Sequence, residues 1–221
     1  MTVKKKSWYN FRFRFNLSER SKPLWWLDIL VIDMLFREII REHFNTISLY
    51  RFHRRWMKDK DGHQLSLICY TDKVTFNRVK RKLEKHEVVE ELKRLKYVDE
   101  VSYVDENRKN IRDTSDKHWN GALQKAWPSF ANGISIMIFQ LMDYIRKNTD
   151  INDELNKEHG IIKYYIKMEK ELNNTIHTYG QHAFLHHLRG MFGYPFILVS
   201  LSLKQRLKIL FTFKKKVPFK F

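Results

Sequence analysis

A chain of 221 residues, 43% hydrophobic and 14% aromatic, can bury a sizeable core and is too apolar to remain disordered. Its one cysteine, Cys69, excludes an internal disulfide framework and suits a reducing compartment. A net charge of +17 asks for an anionic partner (nucleic acid, tRNA, an acidic peptide or an anionic membrane surface) unless it reflects only a lysine-rich composition.

In chain order, the basic start Met1-Thr-Val-Lys-Lys-Lys runs into aromatic and arginine residues rather than an apolar signal core, so a soluble cytoplasmic protein is expected. Phe11, Phe13 and Phe15 alternate with Arg12 and Arg14, which predicts a half-buried strand. Ser21 and Pro23 then predict a helix start, and the helix is expected over 24–44. The apolar stretch from Leu24 to Phe36 is interrupted by Asp28 and Asp33 and is too short to span a bilayer.

Residues 47–56 alternate again. The polar run ending in Asp61-Gly62 signals a hairpin, and 63–70 supply its partner strand. Thr71-Asp72 caps a second expected helix over 73–93, and Tyr97 to Val104 reads as a fourth strand. The order β-α-β-β-α-β predicts a ferredoxin-like half over 1–105, with both helices on one face of an antiparallel sheet. The polar residues 106–116 read as a linker to a helical half, 117–221. In that half Trp127-Pro128 marks a break, and the apolar run Gly133 to Tyr144 predicts a buried helix. Further helices are expected over 152–173, 178–191 and 202–213. The whole is an α+β protein.

Two clusters carry chemistry. Strand alternation puts Arg51, His53 and Arg55 on one face of the second strand, and Tyr50, Phe52, Arg54 and Trp56 on the other. Arginines grouped in this way suit bidentate capture of carboxylate or phosphate, although a solvated face paired with neighbouring acids has the same pattern. His63, directly after the turn, is read either as reaching this face or as a surface turn residue. The second cluster is His177, His182, His186 and His187 with Arg189. His182 and His186 share a helix face, but no nearby Glu or Cys completes a tetrahedral set, so no metal is expected. Acid–base use of one of these histidines fits the residue type.

Cys69, mid-strand, reads as a small core residue. After Glu171 there is no acidic residue, and the tail carries Lys214, Lys215, Lys216 and Lys220 beside Phe219 and Phe221. That pattern suits an RNA backbone, an anionic lipid surface or solvent alone.

Three segments together resemble the C-terminal domain of lantibiotic dehydratases and the stand-alone thiopeptide-type bacteriocin biosynthesis proteins. They are Phe52-His-Arg-Arg-Trp56 leading into Gly62-His-Gln-Leu-Ser-Leu67, the apolar helix after Trp127, and Leu185-His-His-Leu-Arg-Gly-Met-Phe-Gly193. The resemblance implies antibiotic biosynthesis on a ribosomally made peptide, either by lyase-type elimination of glutamate from a glutamyl ester or by ring-forming cycloaddition. No cofactor is expected. Carried over, Arg51, Arg55 and Arg189 would bind a substrate carboxylate, and His63 or His187 would move the proton. Leu65 and Leu67 stand where that family has arginines, and Arg189-Gly190 where it has Asn-Arg, so the expected relative is a diverged one with a peptide substrate or a larger biosynthetic enzyme as partner. The rival expectation is a non-enzymatic RNA- or partner-binding module that uses Arg12, Arg14 and Lys214 to Lys216 as its electrostatic surface.

Overall fold

The computed structural model describes residues 5–16, 24–55, 62–114, 116–156 and 159–186. The chain divides into two compact units, Met1–Leu172 and Asn173–Phe221. The first unit mixes helices with a sheet of four strands: β1 (Lys6–Phe15), β2 (Leu49–Arg55), β3 (Gln64–Asp72) and β4 (Val98–Arg108). All neighbours are antiparallel, in the order β2-β3-β1-β4.

The alternation of β1 sorts its side chains by face. Tyr9, Phe11, Phe13 and Phe15 are buried among the helices, while Trp8, Asn10, Arg12 and Arg14 take the opposite face. On the helical side, α1 (Trp25–Leu30) continues through a π-helical turn (Val31–Phe36) into α2 (Arg37–Glu42). Phe36 meets the ring of Phe13 at 5.6 Å. Ser21 and Pro23, expected to open this helix, lie outside the described residues.

Asp72 caps α3 (Lys73–Glu84) as its sequence position implies, its Oδ1 accepting from the Thr75 amide at 2.9 Å. The single helix expected over 73–93 is in fact two. It breaks at Lys85-His86 because His86 Nδ1 accepts from the Val88 amide at 3.2 Å and so caps a new helix, α4 (Glu87–Arg94). β4 outlasts its expected end at Val104 and runs to Arg108, followed by a 3-10 turn (Ile111–Thr114) where a linker was expected.

The helix α5 (Gly121–Asn148) is continuous through Pro128, against the expected break. The proline removes one internal hydrogen bond, but Pro128, Ala131, Ser135, Met142 and Ile145 bury a face that holds the helix together. The run from Gly133 to Tyr144 is amphipathic rather than wholly buried, since Ile136 and Tyr144 are exposed. α5 also closes the edge of the sheet. The amide of Tyr50 donates to Asn132 Oδ1 at 2.9 Å, and that of Phe52 donates to Ser135 Oγ at 3.1 Å. Two side chains three residues apart on α5 thus satisfy outward amides of the edge strand β2.

A partly buried ionic network ties α5 to the first helical segment. Asp33 accepts from Arg37 at 2.7 Å, from Arg146 at 2.6 Å and from the Tyr165 hydroxyl at 3.1 Å. Tyr165 lies on α6 (Gly160–Thr175), which follows a 3-10 stretch (Asp150–Asn156) where a helix from 152 was expected. In the second unit the described residues, 173–186, are helical and end in a π-helical stretch (Ile176–His186). The helix expected over 202–213 lies outside the described residues. Among the described residues no helix is long and apolar enough to cross a membrane.

Candidate functional site

Helices cover one face of the sheet; the other carries a polar depression of about 190 Å³. Its floor follows from strand register. Ser66 on β3 lies between Arg12 on β1 and His53 on β2, and the neighbouring row sets Asn10 beside Ile68 and Arg51. Short side chains at Ser66 and Asn10 amid long arginines leave a hollow, with Arg55 one row further along β2.

The last wall comes from an irregularity in β4. Tyr9 pairs with Asp105 but Trp8 pairs with Arg108, so Glu106 and Asn107 form a bulge. Asn107 takes a left-handed backbone, φ 53°, which asparagine tolerates, and its amide donates to Asp105 Oδ1 at 3.0 Å. The bulge turns Glu106 and Arg108 into the depression, a common use of this device near binding sites. The chain after β4 then folds over the remaining aromatics. Trp8 Nε1 donates to the carbonyls of Asn110 and Ile111, and the Tyr70 hydroxyl donates to that of Lys109 at 2.9 Å.

Four arginines, at positions 12, 51, 55 and 108, therefore face one carboxylate, that of Glu106. Burial pushes the Arg51 guanidinium down to about 10; nearby Glu106 holds it up and Arg108 adds to the push. A charge that costs this much to keep desolvated gains from a bound anion. The Arg12 side chain, on a central strand, has no hydrogen bond or ion pair among the described residues. Arg14 shares its face but is paired with Glu100 at 3.0 Å. The depression is thus a donor-rich, positive site suited to a compact anionic group.

His63 does not join it. One residue of strand parity separates His63 from Gln64 on the open face, and His63 instead lies inside, 1% exposed, neither at the arginine face nor on the surface. Its Nε2 sits 3.1 Å from both carboxylate oxygens of Asp28, a fully buried residue. Arg54 completes the cluster, its Nε 2.8 Å from Asp28 Oδ2 and its guanidinium stacked 4.7 Å above the Trp25 ring. The rings of Phe15 and Trp25 flank the imidazole at 4.8 and 5.0 Å, and its Nδ1 has no hydrogen-bond partner among the described residues.

The structure therefore brings together Arg12, Arg51 and Arg55 and puts His63 on the opposite side of the sheet. His187, Arg189, Lys214, Lys215 and Lys216 lie outside the described residues. Sequence reasoning missed Asn10, Glu106, Arg108 and the partnership of Asp28 with Arg54. The available signals were Asp28 itself, a charge inside an apolar run, and the parity that sends Arg54 inward. Cys69 is buried with its thiol pushed well up by desolvation, as a core residue should be. Among the described residues no group of three His, Cys, Asp or Glu side chains could hold a metal ion. Neither a protein-family model, nor a curated protein, nor a solved structure matches the chain.

Proposed function

We propose that this chain binds, on the open face of a ferredoxin-like sheet, the carboxylate of a peptide or aminoacyl-derived ligand, as a diverged relative of the bacteriocin-dehydratase C-terminal proteins. The observation that carries this reading is the gathering of Arg12, Arg51, Arg55 and Arg108 around the short side chains of Asn10 and Ser66. Guanidinium forks match a carboxylate two bonds at a time, and a hollow of about 190 Å³ is smaller than the 300–1,000 Å³ of drug-sized sites. His63 on the far face argues for binding in preference to elimination by Arg51, Arg55 and His63 acting together.

The second reading, an RNA-binding module, is favoured by Arg12 and Arg14 on the same face and by the lysines of the tail. It is the weaker one for the sheet. Single strands bind by stacking on exposed aromatics, and here Trp8 is buried and Tyr70 is engaged by the chain after β4.

Titration of the full chain with a short acidic peptide and with a single-stranded RNA, each at two salt concentrations, tests both readings. Carboxylate capture expects peptide binding that Arg51→Ala and Arg55→Ala each weaken about tenfold or more, the scale of a charged hydrogen bond. Binding of RNA alone, falling steeply with salt and indifferent to those two changes, would overturn it.

A further inference from the structure

The arginines explain an anion; they leave the amide oxygen of Asn10 unexplained, and Glu106, 3.7 Å from Arg108 Nε, is a single counter-ion among four guanidiniums. Glu106 pairs with Arg108, and its charge also repels an anion that the other arginines attract. Yet the bulge in β4 sets Glu106 at this wall with only part of its side chain exposed. Asn10, 5% exposed, donates Nδ2 to Glu106 Oε1 at 3.2 Å, which fixes the amide with its oxygen away from that carboxylate. Asn10 Oδ1 then has no hydrogen-bond partner among the described residues, although it is buried at a wall of the depression. A buried acceptor without a donor is uncommon and costly. Two acceptors, one of them charged, thus belong to one wall of a pocket in which four guanidiniums dominate.

We propose that the pocket takes an α-amino carboxylate with a free ammonium group: the carboxylate on the arginines, and the ammonium between Glu106 and Asn10 Oδ1. The ammonium is the one common group that satisfies both acceptors and removes the repulsion between Glu106 and the ligand's own carboxylate. The inference rests on the carboxylate reading of this pocket and narrows its ligand class. Arg12 and Arg51 flank Asn10 and Ser66 across the central strands, which leaves room for the two charges of such a ligand a few bonds apart.

The test is calorimetric titration of the full chain with L-aspartate, with succinate, which keeps both carboxylates and lacks the amine, and with inorganic phosphate. Aspartate is expected to bind about tenfold or more tightly than succinate, the scale of a hydrogen bond to a charged partner. Glu106→Gln, at a partly exposed position, should erase that gap, while Arg12→Gln, at a side chain without described partners, should weaken both ligands alike. Succinate binding as tightly as aspartate would overturn the ammonium inference and leave carboxylate capture standing. Phosphate binding with no affinity for either acid, or no binding of any of the three, would overturn both.

Discussion

Asp28→Ala isolates the physics of the inner face. Asp28 is fully buried and holds two partners, Arg54 through Nε at 2.8 Å and His63 through Nε2 at 3.1 Å. Removing the carboxylate leaves the imidazole, 1% exposed, with neither ring nitrogen bonded, since Nδ1 already has no partner among the described residues. Breaking a buried pair costs about 3–5 kcal/mol. Arg54 is 42% exposed at its side chain and can turn to water, which sets the expected loss at the lower end, about 3 kcal/mol. For a chain of this length that lowers the midpoint of thermal unfolding by about 6–12 °C.

Urea unfolding of the wild type, Asp28→Ala, Arg54→Ala and the double variant, followed by far-UV circular dichroism, measures it. Arg54→Ala alone should cost less, because His63 still meets the carboxylate. The double variant should fall short of the sum, since the two residues share one interaction. A loss within about 0.5 kcal/mol for Asp28→Ala would refute the argument, for that is how an exposed ion pair behaves.

Four further outcomes are expected. Asn132→Leu and Ser135→Ala should each cost about 1 kcal/mol and speed hydrogen exchange at the Tyr50 and Phe52 amides they cap. Gly160→Ala, which in most helices stabilises, should here destabilise by more than about 1 kcal/mol, because a Cβ would lie 2.5 Å from the Leu155 carbonyl oxygen and 2.6 Å from that of Glu154; equilibrium unfolding decides the sign. Cys69, buried and with its thiol pushed up, should resist a thiol reagent in the native chain and react on unfolding in urea. The Lys82 hydrogen bond holds the Glu38 carboxyl below its usual value, against burial and with help from His86. A depressed carboxylate stabilises above its unfolded value and loses that contribution as pH falls through the folded one. Stability curves of wild type and Glu38→Gln should therefore differ at pH 7 and converge in acid.

The alternation of Phe11, Phe13 and Phe15 with Arg12 and Arg14, and of Arg51, His53 and Arg55 with their neighbours, was enough to assign the faces of the sheet. A period of two is a local property that tertiary contacts do not rewrite. What stayed illegible depends on residues far apart in the chain. Glu106 and Arg108 reach the pocket only because β4 carries a bulge where a strand end was expected, and the one local hint is Asn107, a residue at ease in a left-handed backbone. The break between α3 and α4 rests on a histidine acting as a cap, a role that serine, threonine and aspartate fill far more often. Continuity of α5 through Pro128 is set by the face it buries, which no local rule encodes.

Strand parity also explains why the positive charge sits where it does. Leu65 and Leu67, which stand where the resembled family has arginines, share the inner face with His63 and are almost wholly enclosed by the core. A guanidinium at either place would need its own buried partner, and the one carboxylate beside His63, Asp28, already serves Arg54. The inner face is thus closed to a further carboxylate ligand by packing and by charge. β2 offers its remaining arginines, Arg51 and Arg55, to the open face, and β1 adds Arg12 in the middle of it. A one-residue slip of β2 against β3 would send Arg51 and Arg55 among the helices and Phe52 to solvent. The amides of Tyr50 and Phe52, held by Asn132 and Ser135, oppose that slip directly. The helix that closes the sheet edge therefore also keeps the arginines of β2 on the open face.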